Sequence, residues 1–186
     1  MAGLPLENLL HRRWLRDGFM ISTDSSLISV TEVNAAFASD TVYWTKPLPE
    51  EVLRATIRNS LCFGLYRLDE GSEPATIRPD KMSRHPLIGF ARCITDFNTF
   101  VYLTDVYVLP TYQSRGLGRW LISCVQEVIL AMPHLRRSML LTGDWKRSVP
   151  FYREIMDMEI HGTEQTEGVT NGSKLAVLMR KGPGHI

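Results

Sequence analysis

Apolar positions along this chain follow two rhythms, and each change of rhythm marks a new element. The short apolar runs at 18–23 (GFMIST) and 61–68 (LCFGLYRL) read as strands. Between them Val30, Val33, Phe37 and Ala38 recur at helical spacing behind Ser29 or Thr31 as the N-cap. A loop over 39–49 leads to a second helix over 49–59. Pro49 sits in its first turn, Glu50 and Glu51 suit its positive end, and Val52, Leu53, Thr56 and Ile57 are predicted to face inward. Residues 69–86 are polar and hold three prolines, which predicts a long flexible connection to a third strand at 87–95. Asp96-Phe97-Asn98 then turns the chain into a fourth strand.

Val101, Leu103, Val106, Val108 and Leu109 form that fourth strand without clean alternation, as expected where helices cover both faces. Asp105 interrupts the run, and a carboxylate there needs a partner or water. Leu109-Pro110 ends the strand, because proline donates nothing to a ladder. After the loop Gln113-Ser114-Arg115-Gly116-Leu117-Gly118, the positions Leu117, Trp120, Leu121, Cys124, Val125 and Val128 mark a helix that Pro133 stops. A fifth strand (138–142) and a helix (145–156, with Val149, Tyr152 and Ile155 or Met156 inward) follow. A closing hairpin (158–161 and 174–180) encloses a polar loop, and nothing in the tail at 181–186 predicts order. The order βααβββαβαββ predicts one α/β (α+β) domain over 1–186, with its core at about 18–180. Its centre is a mixed, mostly antiparallel sheet of about seven strands flanked by four helices.

The loop at 113–118 carries the clearest chemistry. A helix N-terminus has unpaired N–H groups and a partial positive charge, and glycine lets an anion approach them. Arg115 and Arg119 add charge at the same end. This describes a pyrophosphate cradle fed by a strand. No Gly-Lys-Ser/Thr follows, so it is not a P-loop, and the three-glycine dinucleotide fingerprint fits poorly. Simple packing of a strand–turn–helix is the structural alternative.

The spacing Q-x-x-G-x-G behind a strand ending V-x-V-x-P resembles the acetyl-CoA motif of the GNAT N-acetyltransferase superfamily. The likeness covers roughly 18–180, and its specific part is 87–152. It implies a sheet splayed between the fourth and fifth strands, with acetyl-CoA as co-substrate in the gap. The loop (Gln113, Ser114, Arg115, Gly116, Leu117, Gly118, Arg119) would hold the pyrophosphate, and Val106, Tyr107 and Val108 the pantetheine arm. Val149-Pro150-Phe151-Tyr152 resembles the family's F-Y helix, which makes Tyr152 the candidate general acid near the coenzyme sulfur; a core tyrosine is the alternative. Met156-Asp157-Met158 stands where the family has a glycine–aromatic pair, and Lys146 stands near its usual asparagine, as a cationic coenzyme contact. Asp105 is the candidate general base or acceptor ligand, or else an aspartate held by an arginine or a strand bulge. By the same resemblance the acceptor pocket lies opposite the cofactor, with Tyr43 and Trp44 as its candidate residues or as packing residues.

Composition narrows the classes. At 186 residues and 44% hydrophobic, the chain can bury a sizeable core. A net charge of +1 argues against a nucleic-acid face or a polybasic membrane anchor. No apolar run nears the ~20 residues that span a bilayer, and the N-terminal stretch lacks the apolar core of a secretory signal. Cys62, Cys93 and Cys124 are widely spaced, which suits core thiols in the cytoplasm or nucleus, and no H-E-x-x-H or His/Cys cluster points to a metal. His85, His134 and His161 fall in turns and are expected at the surface; Glu127 and Glu154 are expected on solvated helix faces. The reading is an acetyl-CoA-dependent N-acetyltransferase acting on a primary amine of a small molecule or peptide, as a monomer or homodimer. A catalytically silent acyl-CoA-binding module and an ATP- or NAD-binding protein are the alternatives.

Overall fold

The computed structural model describes residues 9–69, 85–164 and 175–185. Most of the connection predicted over 69–86 and of the loop predicted over 162–173 lies outside the described residues. Eight strands form one sheet in the order β1-β2-β3-β4-β5-β6-β8-β7. They are β1 (Arg13–Arg16), β2 (Phe19–Ser22), β3 (Leu61–Arg67), β4 (Leu87–Thr95), β5 (Phe100–Val108), β6 (Arg137–Thr142), β7 (Glu159–Glu164) and β8 (Leu175–Lys181). Every neighbouring pair is antiparallel except β5–β6, which is parallel. Among the described residues four α-helices reach eight residues: α1 (Val30–Phe37), α2 (Glu50–Arg58), α3 (Leu117–Leu130) and α4 (Ser148–Met156). The α/β class, the mostly antiparallel mixed sheet and the four helices are as predicted.

The sheet has eight strands where about seven were expected, and β1 is the addition. Asp17 and Gly18 both take positive φ (49° and 77°), which closes a two-residue hairpin between β1 and β2. Asp-Gly is the sequence signature of that turn. Ser29, not Thr31, caps α1: its Oγ accepts from the N–H of Glu32 at 3.2 Å.

Helices lie on both faces of the sheet. Leu53, Ile57, Val33 and Phe37 of α1 and α2 pack on Met20, Tyr66, Phe90 and Tyr107. On the opposite face Leu121, Val125 and Val128 of α3, with Val149 and Met156 of α4, pack on Phe63, Leu103, Leu140 and Leu178. The first of these cores contains no residue of β6, β7 or β8 among the described residues. The expectation that both faces of β5 are covered therefore holds only in part: Phe100 is 38% exposed, and Tyr102 and Thr104 are half-buried.

Three smaller expectations are corrected. Val52 points outward and is 49% exposed, because α2 turns only Leu53 and Ile57 fully into the core. His85 is buried, and its Nδ1 accepts from the N–H of Asp69 at 3.4 Å. The tail is docked: the N–H groups of Gly182 and Gly184 donate to the carbonyls of Arg136 (3.0 Å) and Leu135 (2.9 Å). Glycine makes this approach possible, since a Cβ would fall 2.2 Å from the Leu135 carbonyl oxygen at position 182 and 2.5 Å from that of His134 at position 184.

The feature that positions the site is the parting of β5 from β6. Phe100–Leu103 pair with Arg137–Leu140, and there the pairing ends. β5 continues to Val108 and β6 to Thr142, so a gap opens between them.

Candidate functional site

The end of β5 is bent by a bulge. Phe90 pairs with Tyr107 and Arg92 with Thr104, so Asp105 and Val106 together oppose Ala91. Asp105 takes φ 52°, the left-handed region that a side chain adopts only where its surroundings compensate. The compensation is an ion pair across the strands: Arg92 Nε donates to Asp105 Oδ2 at 2.7 Å, with the two side chains 15% and 12% exposed. Arg92 Nη1 also donates to Ser60 Oγ at 3.3 Å.

Beyond Val108 the chain makes a tight turn at Pro110–Tyr112. Gln113 ties the loop to the strand by donating from Nε2 to the Val108 carbonyl at 2.8 Å. Ser114 (φ 62°) and Gly116 (φ 72°) then swing the backbone into α3. Gly116 is the N-cap; no side chain caps the helix and no acid lies in its first turn. The leading N–H groups of α3 are thus open to an anion. Leu117 is buried and anchors this end, while Gly118 packs against nothing close. A Cβ at Gly118 would come no nearer than 3.9 Å to any atom, the Val108 Cγ2. Packing within the chain therefore gives no reason for glycine there, whereas a ligand lying on the backbone would.

The cations near the cradle differ in their freedom. The Arg115 guanidinium lies 5.7 Å from the Tyr112 ring centroid. Arg119 is already engaged, donating twice to the Glu154 carboxylate of α4 at 3.0 and 2.8 Å. That bond holds the Glu154 carboxyl below its usual range and raises the Arg119 guanidinium. Glu127 is likewise engaged, by Arg12 and by the Trp14 indole N–H (2.9 Å). Lys146 is exposed in the turn before α4.

Tyr152 is buried on the inner side of α4, 9% exposed. Burial, and to a lesser degree the neighbouring Cys93 thiol, pushes its phenol well above the usual range. It is a protonated hydrogen-bond donor throughout neutral pH. Cys93 pairs with Leu103, the last residue of β5 to meet β6.

The remaining candidates point elsewhere. The Tyr107 side chain packs with Phe37 and Phe90 under α1, on the face away from α3, so only its backbone remains at the gap. Tyr43 and Trp44 meet edge to face, with centroids 5.1 Å apart, and are 74% and 47% exposed between α1 and α2. They are not core residues.

Two arginines escaped the sequence reading. Arg16 of β1 stacks over Trp120 at 4.8 Å and lies 3.8 Å from where a Gly116 Cβ would stand. The Asp-Gly turn at 17–18 was the signal that could have brought β1 to this spot. Arg92 was legible only as a charge in a buried strand, two residues from each apolar neighbour on its face. The arrangement as a whole offers an uncapped helix N-terminus, a strand edge that β6 leaves free and a carboxylate beside it, with a buried neutral phenol on α4.

The Acetyltransferase (GNAT) family model matches residues 34–158. A Gibberella zeae protein provisionally named an acetyltransferase is 44% identical over 136 residues, covering 72% of this chain and 76% of its own. A solved GNAT-family protein from Xanthomonas campestris pv. campestris is 30% identical, with a TM-score of 0.56, covering 74% of this chain and 84% of its own. Arabidopsis thaliana NAA60, solved in complex with acetyl-CoA, shares the fold at a TM-score of 0.61 and 12% identity, over 88% of this chain and 99% of its own.

Proposed function

The chain belongs to the acetyltransferase (GNAT) family, and from that premise we propose that this N-acetyltransferase takes its acetyl group from acetyl-CoA and passes it to a primary amine of a small molecule or peptide in a ternary complex. One observation carries the reading. The half of β5 that β6 leaves free on one side leads, through the turn at Pro110–Tyr112 and the loop after it, to an uncapped helix whose Gly118 has no packing reason to be glycine. A pyrophosphate on the N–H groups of residues 114–118 and an extended pantetheine arm beside Val106, Tyr107 and Val108 would satisfy both. Gln113 holds the loop in place, and Arg115, Arg16 and Lys146 supply charge, with Arg119 released from Glu154 or shared with it.

The reaction then follows from the groups at hand. The amine, once neutral, attacks the thioester carbonyl; an N–C bond forms and the carbonyl electrons move to oxygen. A backbone N–H of β5 stabilises that oxyanion, an effect whose loss typically costs about 100- to 1000-fold in rate. The C–S bond breaks as the carbonyl reforms. The departing thiolate receives a hydrogen bond from Tyr152 and its proton ultimately from water, since a phenol raised by burial is a weaker acid than a thiol. Asp105, through the carboxylate oxygen not bonded to Arg92, receives the amine proton directly or through water, or orients the ammonium before it is lost. Tyr43 and Trp44 border the acceptor's approach.

Calorimetric titration with acetyl-CoA, with ATP and NAD as controls, tests the cradle. Micromolar binding of acetyl-CoA alone is expected. A folded protein that binds none would leave the glycine loop as packing and overturn the reading. Free-thiol release with an amine panel then separates turnover from silent binding.

A further inference from the structure

The glycine loop has cations on two sides, and they are held differently. Arg119 faces α4 and is engaged by the Glu154 carboxylate. Arg16 comes from β1, four places along the sheet from β5. The Asp17-Gly18 turn sets it at the end of that strand. Its guanidinium lies 4.8 Å from the Trp120 ring centroid and 3.8 Å from where a Gly116 Cβ would stand. Its ion pair with Asp17 is long, at 3.8 Å, and the Asp17 side chain is 87% exposed, so water screens the attraction. Close by in the chain, Arg115 lies over Tyr112, whose ring meets Phe19 edge to face at 6.4 Å. Trp120, Tyr112 and Phe19 are all half-buried. An aromatic face holds a guanidinium in place without neutralising it, so Arg16 keeps its charge for a ligand.

We propose that Arg16 binds the 3′-phosphate of coenzyme A and makes the protein select that coenzyme over its dephospho form. This rests on the proposed acetyl-CoA cradle, and the order of the elements sets the assignment. The pantetheine arm lies along β5 and the pyrophosphate on the N–H groups of residues 114–118. A ligand entering at the gap between β5 and β6 reaches the α4 side of the helix end first, where Arg119 is already paired. What lies beyond the pyrophosphate continues toward β1. In coenzyme A that part is an adenosine carrying a phosphomonoester. The guanidinium fork of Arg16 matches the oxygens of that dianion, and the half-buried rings beside it offer an apolar face to the purine.

Two measurements test this. The first is calorimetric titration of the full chain with coenzyme A and with dephospho-coenzyme A. The wild-type protein should prefer coenzyme A by at least about tenfold, as one charge-assisted hydrogen bond predicts. Arg16→Gln should abolish that preference, and Arg16→Lys, which keeps the charge without the fork, should retain part of it. If Arg16 only packs on Trp120, its loss weakens both ligands equally and the preference survives. That result, or a wild-type protein with no preference, would overturn the assignment and leave the cradle standing. The second is an NMR titration with adenosine 3′,5′-bisphosphate, which carries neither pantetheine nor thioester. It is read at the Trp120 indole N–H, assigned with Trp120→Phe. A shift that Arg16→Gln removes is expected, and an indole that does not respond would overturn the subsite. A shift here in a protein that fails to bind acetyl-CoA would overturn the transfer reading instead and leave the phosphate site standing.

Discussion

Residues 101–103 and 105–108 belong to one strand, yet only the first group has a strand on each side. In the first group Val101 and Leu103 are fully buried, and the backbone of residues 101–103 lies between β4 and β6. The second group pairs with β4 alone, through a bulge that puts Asp105 at positive φ. Both groups are rich in β-branched and aromatic residues, so their difference does not come from strand propensity. It comes from β6, which follows β5 for four residues and then departs. One half of the strand is finished by folding, and the other is left with backbone groups that a ligand can complete. Stability and binding should therefore separate along it.

The largest effect expected is on the finished half. Leu103→Ala should lower unfolding free energy by about 2–5 kcal/mol, the usual cost of emptying a fully buried leucine site. Val106→Ala, in the half-buried second group, should cost clearly less in the same urea titration. Equal losses would mean that the two halves are equally built into the core. Next is Gly118→Val. The space around Gly118 lets the fold survive, but a side chain there blocks the approach to the α3 N-terminus. Loss of two charge-assisted hydrogen bonds, about 3 kcal/mol or more, corresponds to at least a 100-fold weaker acetyl-CoA affinity by calorimetry. Unchanged affinity would remove the cradle.

Tyr152→Phe sharpens the boundary between the halves. Turnover should fall by about 100-fold, the lower range for losing one hydrogen-bond donor to developing negative charge, with acetyl-CoA affinity nearly constant. A variant as active as the parent would make Tyr152 a core residue only. The most gradual effect, spread over several pH units, concerns Cys62, which pairs with Arg92 on the next strand. Burial pushes its thiol up to about 12, with Arg92 opposing and Asp105 reinforcing that shift. Since the folded value lies above the unfolded one, the contribution is intact below about pH 9 and is lost as pH rises toward 12. Unfolding free energy should thus fall by up to about 1.4 kcal/mol per pH unit for this thiol over that window. Denaturation midpoints at several values in that window should show a shallower decline in Cys62→Ala; an identical decline would contradict it.

Local signals explain what was legible. α3 appeared in the sequence because a glycine-bounded start, a helical apolar period and Pro133 agree. The gap between β5 and β6 was expected only through family resemblance, because no residue type marks where two strands stop pairing. Asp105 was visible as an anomaly, but its partner was not. Arg92 lies 13 residues away, and the bulge that lets them meet depends on strand register. The tail was misread for a similar reason: glycines that usually signal freedom here allow backbone to pack on backbone.

Taken by itself, the sequence determined the order and kind of seven strands and four helices, and it marked the glycine loop, Tyr152 and Asp105 as candidates. Each depends on periodicity or residue type within a few neighbours. Tertiary structure decided the eighth strand, the delivery of Arg16 to the loop and the ion pair of Arg92 with Asp105. Those depend on which segments meet across the sheet, and burial of the whole core selects that meeting in a way no single stretch encodes.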